Sequence, residues 1–512
     1  MDQGSSGISV IEIPPGGQII PVRRESVAAF IGPAPRGPVD IPVAVRSLEE
    51  FLARFSVPGY LSRMELLLYQ YFENGGELAL VVRVCRTPRR NRIVLPGVAG
   101  DLVLEARHPG PLEHLRASVD HDGVAALNRD LFNLVIHRCR SVAQPLVEEQ
   151  EVYQGLSVVP GTPEYVGDAL GSSALVRLAA AVPAERPTRT LGAGLAVNYV
   201  YSRCDWQGDN APTDYDLIGS REEGTGLFAL EQVPWIDFIA LVPGVSGAAL
   251  GPVALFAADR YARERHALLV LDPPESWTEV ADVVRTQRQR GFSSPNAITY
   301  FPSLDSPPHG GPGGHLSAAG AIAGALAAAG LDLRGTRTLT LGRSRPATAL
   351  DDADAHQLGR LGINVLARQG GRVELAGLVT MARSAGCSSW NSLRSRRVAL
   401  FILSSVQRYT RWAAYAPPDD LLWSDVREQV LRFLSSLHRD GLLAGASARE
   451  AYYVRCDRET NQALAGSPIR LAFVFGAALT RPGEFIAFRV EHAADGSAVR
   501  EVSWEPGLAL AG

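Results

Sequence analysis

Three histidines, His108, His114 and His121, fall close to Asp120 and Asp122, a set that could in principle hold a metal. Helical metal sites need HxxxH or HExxH spacing, so that both imidazoles share one face. Neither spacing occurs, and the five residues read as polar turns of a β-rich stretch. Nucleophilic chemistry has no better footing, since no serine sits in a Gly-x-Ser-x-Gly elbow. The run LGAGLAV at 191–197 supplies two of the three glycines of a dinucleotide fingerprint and lacks the third. All 50 basic residues are arginine. A phosphate-binding P-loop, a pyridoxal Schiff base and an aldolase amine each require lysine, so all three are excluded. The five cysteines, Cys85, Cys139, Cys204, Cys387 and Cys456, are scattered and form no CxxC. That pattern speaks for a reducing compartment and against a zinc knuckle or a disulfide framework. Arg89-Arg90 with Arg92, and Arg394 with Arg396-Arg397, lack interleaved aromatics and read as solvated faces. Asp351, Asp352 and Asp354 fit the first turn of a helix. No metal and no cofactor follow from these residues.

The remaining expectations concern what positions side chains rather than what reacts. A chain of 512 residues makes about three domains. With 46% apolar and 20% charged residues it is not disordered. A net charge of −4 gives no general drive toward nucleic acid or an anionic membrane. The opening residues lack the basic and apolar regions of a secretory signal, so none is expected. The long uncharged run from Phe238 to Ala258 is broken by Pro243, Gly244, Gly247, Gly251 and Pro252, so no membrane span is expected.

GISVIEI at 7–13 is rich in β-branched residues and reads as a strand that PPGG then stops. It has no local partner and must pair with something distant or with another chain. SVAAFIG and LALVVRV read as buried strands around two helices, one capped by Ser47 and one stopped at Asn74-Gly75-Gly76. From 93 to about 220, short alternating runs such as DLVLEA, HLRASVD and LFNLVIH point to a β-rich module. Between 233 and 301, strand and helix alternate, which implies a mostly parallel sheet covered by helices. Gly320 and Gly324 in an Ala-rich run suggest close helix packing. Val398, Phe401, Ile402, Ser405, Tyr409 and Trp412 form a helical stripe. Asp419 can cap a second helix ending near Gly441, with Leu422, Val426, Val430, Phe433 and Leu437 on its core face. Ser447 and Glu450 fit a capping box. RLAFVFG and EFIAFRV, joined through Pro482-Gly483, read as a hairpin, and AVREVSW as one more possible strand.

Several of these blocks, in order, resemble the contractile phage-tail sheath proteins. They are GISVIEIPPGG, SVAAFIGPAPRGP, YFENGG, the TPEYVGDALGSSALVRL segment, LGINVLA, the long block from RRVALFILSSVQRYTRW to VRCDRETN, and RPGEFIAFRV. The resemblance covers roughly 1–490. It implies an α/β and α+β multi-domain chain. A discontinuous α+β core domain carries an inserted β-rich module and a subtilisin-like, non-catalytic α/β domain, with extended terminal strands. The implied layout is an N-terminal arm at 1–25, core segments at 26–95 and 351–490, the β-rich module at 96–224, the α/β domain at 225–350 and a tail at 491–512. The two inserted modules would lie on the outside of the assembly.

The resemblance also implies a structural, non-enzymatic subunit that polymerises in stacked rings around an inner tube and contracts to drive it through an envelope. Its partners would be itself, the inner tube protein, and baseplate and terminator or cap proteins, with neither nucleic acid nor membrane insertion. Assembly would be cytoplasmic. Ile8, Val10, Ile11 and Ile13 would form the exchanged strand. Leu471, Phe473, Phe475, Phe485, Ile486 and Phe488 would belong to the acceptor hairpin, and Arg427, Arg432 and Arg439 would face the tube. A static tube or capsid protein, or a hydrolase on the α/β domain, are the other readings.

Overall fold

The computed structural model describes residues 19–503, apart from 24, 125–127, 142, 144, 191–197, 204–210, 245–248, 305–316, 334–338, 342–344, 370–371, 383–389 and 463–466. The first strands are β1 (Val27–Gly32), β2 (Val43–Val45) and β3 (Leu78–Arg83). Then come β4 (Arg92–Leu95), β5 (Leu102–Ala106), β6 (Leu115–Asp120), β7 (Leu131–Cys139), β8 (Val147–Ser157), β9 (Val176–Leu178) and β10 (Val200–Tyr201). The next group is β11 (Phe238–Leu241), β12 (Leu268–Leu271), β13 (Ala297–Phe301), β14 (Leu339–Leu341), β15 (Asn364–Gln369) and β16 (Arg372–Ala376). The last are β17 (Tyr452–Arg455), β18 (Ile469–Ala478), β19 (Phe485–Ala493) and β20 (Ser497–Val502).

Nine strands make the central sheet, in the order β14-β16-β15-β13-β12-β11-β1-β3-β2. The run from β3 to β15 pairs in parallel, and β1, β11, β12 and β13 are buried at every residue. Continuous apolar runs are what a parallel sheet covered on both faces requires. Successive residues of β1 serve the two faces in turn: Ala28 and Phe30 join one core, Val27, Ala29 and Ile31 the other. One face is covered by the helices Arg63–Glu73 and Ala319–Ala328. Their approach depends on Gly320 and Gly324. A Cβ there would lie 2.1 Å from the Leu67 carbonyl oxygen and 2.3 Å from that of Tyr71.

This sheet corrects one expectation. The resemblance groups 26–95 with 351–490, apart from an α/β domain starting at 225. Strand pairing crosses that boundary, because β1 lies between β3 and β11 in one parallel sheet. The apolar strands β1 and β3 have two faces to bury: the helices Arg63–Glu73 and Ala319–Ala328 cover one, and the segments on either side of β11, with Leu227, Leu230, Leu255 and Ala258, cover the other.

Residues 92–203 close on themselves. Their two antiparallel sheets, β10-β6-β7-β8 and β4-β5-β9, share a core whose buried members run from Ile93 to Val176. The ends meet: Arg92 donates its N–H to the Arg203 carbonyl (2.9 Å) and Arg203 donates back (2.8 Å).

The C-terminal unit packs the helices Leu393–Tyr409 and Asp420–Arg439 on the sheet β17-β18-β19-β20. Ile20, from the N-terminal segment, is buried in the same core. The Asp419 cap is present, accepting from Leu422 N–H, and Ser47 caps its helix in the same way. The expected capping box at Ser447 is not made. Ser447 makes no side-chain cap, and Glu450 instead accepts from the Ala446 N–H. Among the described residues, no helix is long and apolar enough to cross a membrane.

Candidate assembly surfaces

An open α/β sheet binds ligands where its winding reverses, beyond the C-terminal strand ends. Here that point lies between β1, which leads on to β3, and β11, which leads on to β12. There the two strands stay paired to their ends. A Cβ on Gly32 would lie 2.6 Å from Val242 Cβ, and the Val242 N–H donates to the Ile31 carbonyl at 2.7 Å. Beside it, at the end of β3, the Arg83 guanidinium is 2% exposed. It donates to the carbonyls of Ala34 (2.8 Å), Gly37 (2.6 Å) and Pro109 (2.6 Å), and so pins the loop after β1 to the β-rich module. Sequence reading passed over Arg83. Its signal was a single charge inside an apolar strand, which must find partners if buried.

A cavity of about 300 Å³ lies at the opposite, N-terminal ends of β11 and β12, lined by Arg23, Asp237, His266 and Arg397. Burial pushes the Asp237 carboxyl up, the Arg397 guanidinium down to about 10 and the His266 imidazole down to about 4. The first turn of the Leu393–Tyr409 helix is therefore not the solvated face expected from Arg394, Arg396 and Arg397. Arg396 donates to Asn296 Oδ1 and Arg397 to the Leu326 carbonyl, because this helix is wedged between the large sheet and the C-terminal core.

The histidine cluster holds no metal set. Among the described residues no three His, Cys, Asp or Glu side chains could bind one ion. His121 instead bonds the Pro187 carbonyl (3.0 Å). The 191–197 glycine run and the Pro/Gly stretch at 305–314 lie outside the described residues. Ser497 Oγ contacts His492 Nδ1 at 2.6 Å, but the other nitrogen of that ring meets the Thr410 hydroxyl at 2.8 Å. Burial holds that imidazole near 4, too weak for a general base at neutral pH. The contact ties β20 to β19.

The exchanged-strand residues Ile8, Val10, Ile11 and Ile13 lie outside the described residues. The hairpin β18–β19 is present, with Pro482-Gly483 in its loop. Leu471, Phe473, Phe475 and Phe488 are buried in the C-terminal core, and Phe485 and Ile486 are half-buried. Their side chains therefore hold the sheet together, and only backbone edges remain for another strand. β17 covers part of β18, and β20 covers β19 from Ala487 to His492.

The Asp420–Arg439 helix buries Leu422, Val426, Val430, Phe433 and Leu437, and it exposes Arg427, Arg432 and Arg439. Arg432 pairs with Glu428 one turn earlier. Arg432 and Arg439 share a stripe, whereas Arg427 lies about 140° round the helix from Arg432.

No family model matches the chain, and no curated protein matches it. Solved structures share its fold over almost its whole length. The sheath tail protein of Listeria innocua superposes with a TM-score of 0.60 at 14% identity, covering 95% of this chain and 96% of that one. The PVC sheath complex of an extracellular contractile injection system, in its contracted state, gives 0.54 at 12% identity, covering 95% and 97%. The contracted helical sheath of the anti-feeding prophage gives 0.51 at 13% identity, covering 95% and 98%. The chain thus has the mixed α/β, multi-sheet fold of these proteins.

Proposed function

We propose that this chain is the structural subunit of a contractile sheath, of a phage tail or a phage-like injection system. The observation that carries the proposal is end-to-end agreement of fold with sheath proteins, two of them in contracted assemblies. On this reading the parallel sheet with its helices is the subtilisin-like unit of the family, without its chemistry.

Subunits of such a sheath must stay connected while they rotate and slide. Strand exchange does this, since a backbone ladder holds neighbours while the links beside it bend. The strand bearing Ile8, Val10, Ile11 and Ile13 would extend a neighbour's β17–β20 sheet along an open edge, with the PPGG at 14–17 as its hinge. Arg432 and Arg439 would meet an acidic inner tube, and rings would stack on a baseplate and end at a cap. Assembly, in the cytoplasm, would trap an extended state of higher free energy, and contraction would release it without a nucleotide.

The test is electron microscopy of the purified chain, alone and with its tube. Two helical states of one sheath are expected, and a chain lacking residues 1–13 should remain a folded monomer. A single static lattice would favour a fixed tube or capsid. Normal long sheaths from the truncated chain would rule out strand exchange.

A further inference from the structure

The small sheet β4-β5-β9 sets three charged residues in one row, because its register places Arg92 opposite Glu105 and Glu105 opposite Arg177. The Glu105 carboxylate is largely buried. Arg177 Nη2 approaches it to 2.5 Å, and Arg90 Nε and Arg92 Nε each to 3.8 Å. Arg107 adjoins the row, since its carbonyl accepts from Arg90, and Arg89 is exposed in the preceding turn. The field is felt nearby: burial first, then Arg138, Arg83, Arg90 and Arg107, drive the His108 imidazole down to about 4.

One carboxylate cannot balance these guanidiniums. Five arginines against Glu105 leave a surplus of four positive charges, and the side chains of Arg92 and Arg177 are 62% and 49% exposed. Exposed guanidinium forks are built to take carboxylates.

The chain itself carries the complement. Its net charge is −4, so everything outside the row carries −8. Within 213–224, Asp214 and Asp216 flank Tyr215 in the chain, Tyr215 is 72% exposed, and Glu222 and Glu223 are exposed a few residues on; Asp216 also accepts from the Thr213 N–H. The arginine of that stretch, Arg221, is turned away onto Glu231 (3.4 Å) and Glu264 (2.5 Å). A protruding tyrosine among carboxylates suits an arginine surface, through ion pairs and through stacking of guanidinium on ring. Among the described residues no ion pair joins the two surfaces within one chain.

We propose that the arginine row of β4, β5 and β9 docks on the acidic, tyrosine-bearing stretch 213–224 of a second copy of this chain. Because two different patches meet, the contact is heterologous and propagates into rings or helices rather than closing as a dimer. The proposal rests on the reading of the chain as a self-assembling subunit.

The test uses two full-length variants. One carries Arg89→Glu, Arg92→Glu and Arg107→Glu, which turns the surplus of four positive charges into two negative ones and leaves Arg90 and Arg177 on Glu105. The other carries Asp214→Arg with Glu222→Arg and Glu223→Arg. Circular dichroism and melting verify that each is folded. Assembly is followed by sedimentation and electron microscopy at about 50 and about 300 mM NaCl. Each variant alone should need at least about tenfold more protein to assemble than the native chain. An equimolar mixture should recover native behaviour, because every reversed row then meets a reversed stretch. The native contact should weaken at the higher salt. Native sheaths with variants that assemble normally, or a mixture that fails to recover, would overturn this contact alone. A native chain that never assembles would sink the sheath reading and the contact with it.

Discussion

Arg83 is a buried charge held by carbonyl oxygens from two separate parts of the chain. Replacing it with methionine keeps the bulk and strips three carbonyls of their donor. Unpaired buried carbonyls are costly, so urea unfolding of Arg83→Met should show a loss of about 2–3 kcal/mol. A loss below about 0.5 kcal/mol would mean that water replaces the guanidinium without penalty. His492 gives a pH signature. Its ring bonds Thr410 and Ser497, and burial lowers its pKa to about 4, below the ordinary value of 6.5. The unfolded chain therefore binds the proton first. The stability this site contributes is complete above pH 6.5 and is lost as pH falls toward 4. His108 and His266 slope the same way, whereas the raised carboxyls of Asp237 and Asp272 slope against them. The measurement is thus the difference in melting temperature between native and His492→Gln chains across pH 4 to 7. A difference that does not change with pH would show that His492 is not held neutral.

At the scale of elements, two helical glycines, Gly359 at the end of the helix Asp352–Gly359 and Gly320, should respond to alanine in opposite ways. Gly→Ala within a helix usually stabilises by roughly 0.5–1 kcal/mol. Gly359 faces open space and should follow that rule. Gly320 faces the Leu67 carbonyl, so Gly320→Ala should force two helices apart and destabilise by about 2 kcal/mol. Equal responses at the two sites, read by thermal unfolding, would contradict the close approach. The Asp420–Arg439 helix carries a different expectation. Reversing Arg432 and Arg439 to glutamate should abolish assembly on the tube and leave the fold intact, since both are exposed. Each exposed pair is worth only about 0.2–1 kcal/mol, so the effect depends on many copies in a ring. Arg427→Glu, off that stripe, should do less. Full assembly of the double variant at low salt would remove this helix from the contact.

At the scale of the whole molecule, the β-rich module begins and ends at a hydrogen-bonded pair, Arg92 with Arg203. Its core is its own. Replacing residues 93–202 by two glycines should therefore leave the nine-stranded sheet and the C-terminal unit cooperatively folded. The loss of Arg83's bond to Pro109 should lower the melting point by a few degrees. Circular dichroism and a melting curve check it. An unfolded product would show that the module is needed to fold the rest.

The sequence by itself determined what is local. Helix caps at Ser47 and Asp419, the stop at Asn74-Gly75-Gly76 and the buried stripe from Leu422 to Leu437 depend on neighbours a turn or two away, and Gly320 and Gly324 mark a close approach without naming Leu67 and Tyr71 as what is approached. Hydrophobic period and cap chemistry declare those directly. Tertiary structure alone decided which strands share a sheet. β1 and β3 carry no mark that names β11 as partner, because a continuously apolar strand fits any covered parallel sheet. β8 is hard to read for the opposite reason: as an edge strand exposed at residues 147–150, its first four residues carry no alternation. The arginines show the same divide. Arg92 and Arg397 both look like surface charge in the sequence. Strand register put one in a row around Glu105, and a wedged helix put the other in the interior, because the position of a charge is set by contacts between residues far apart in the chain.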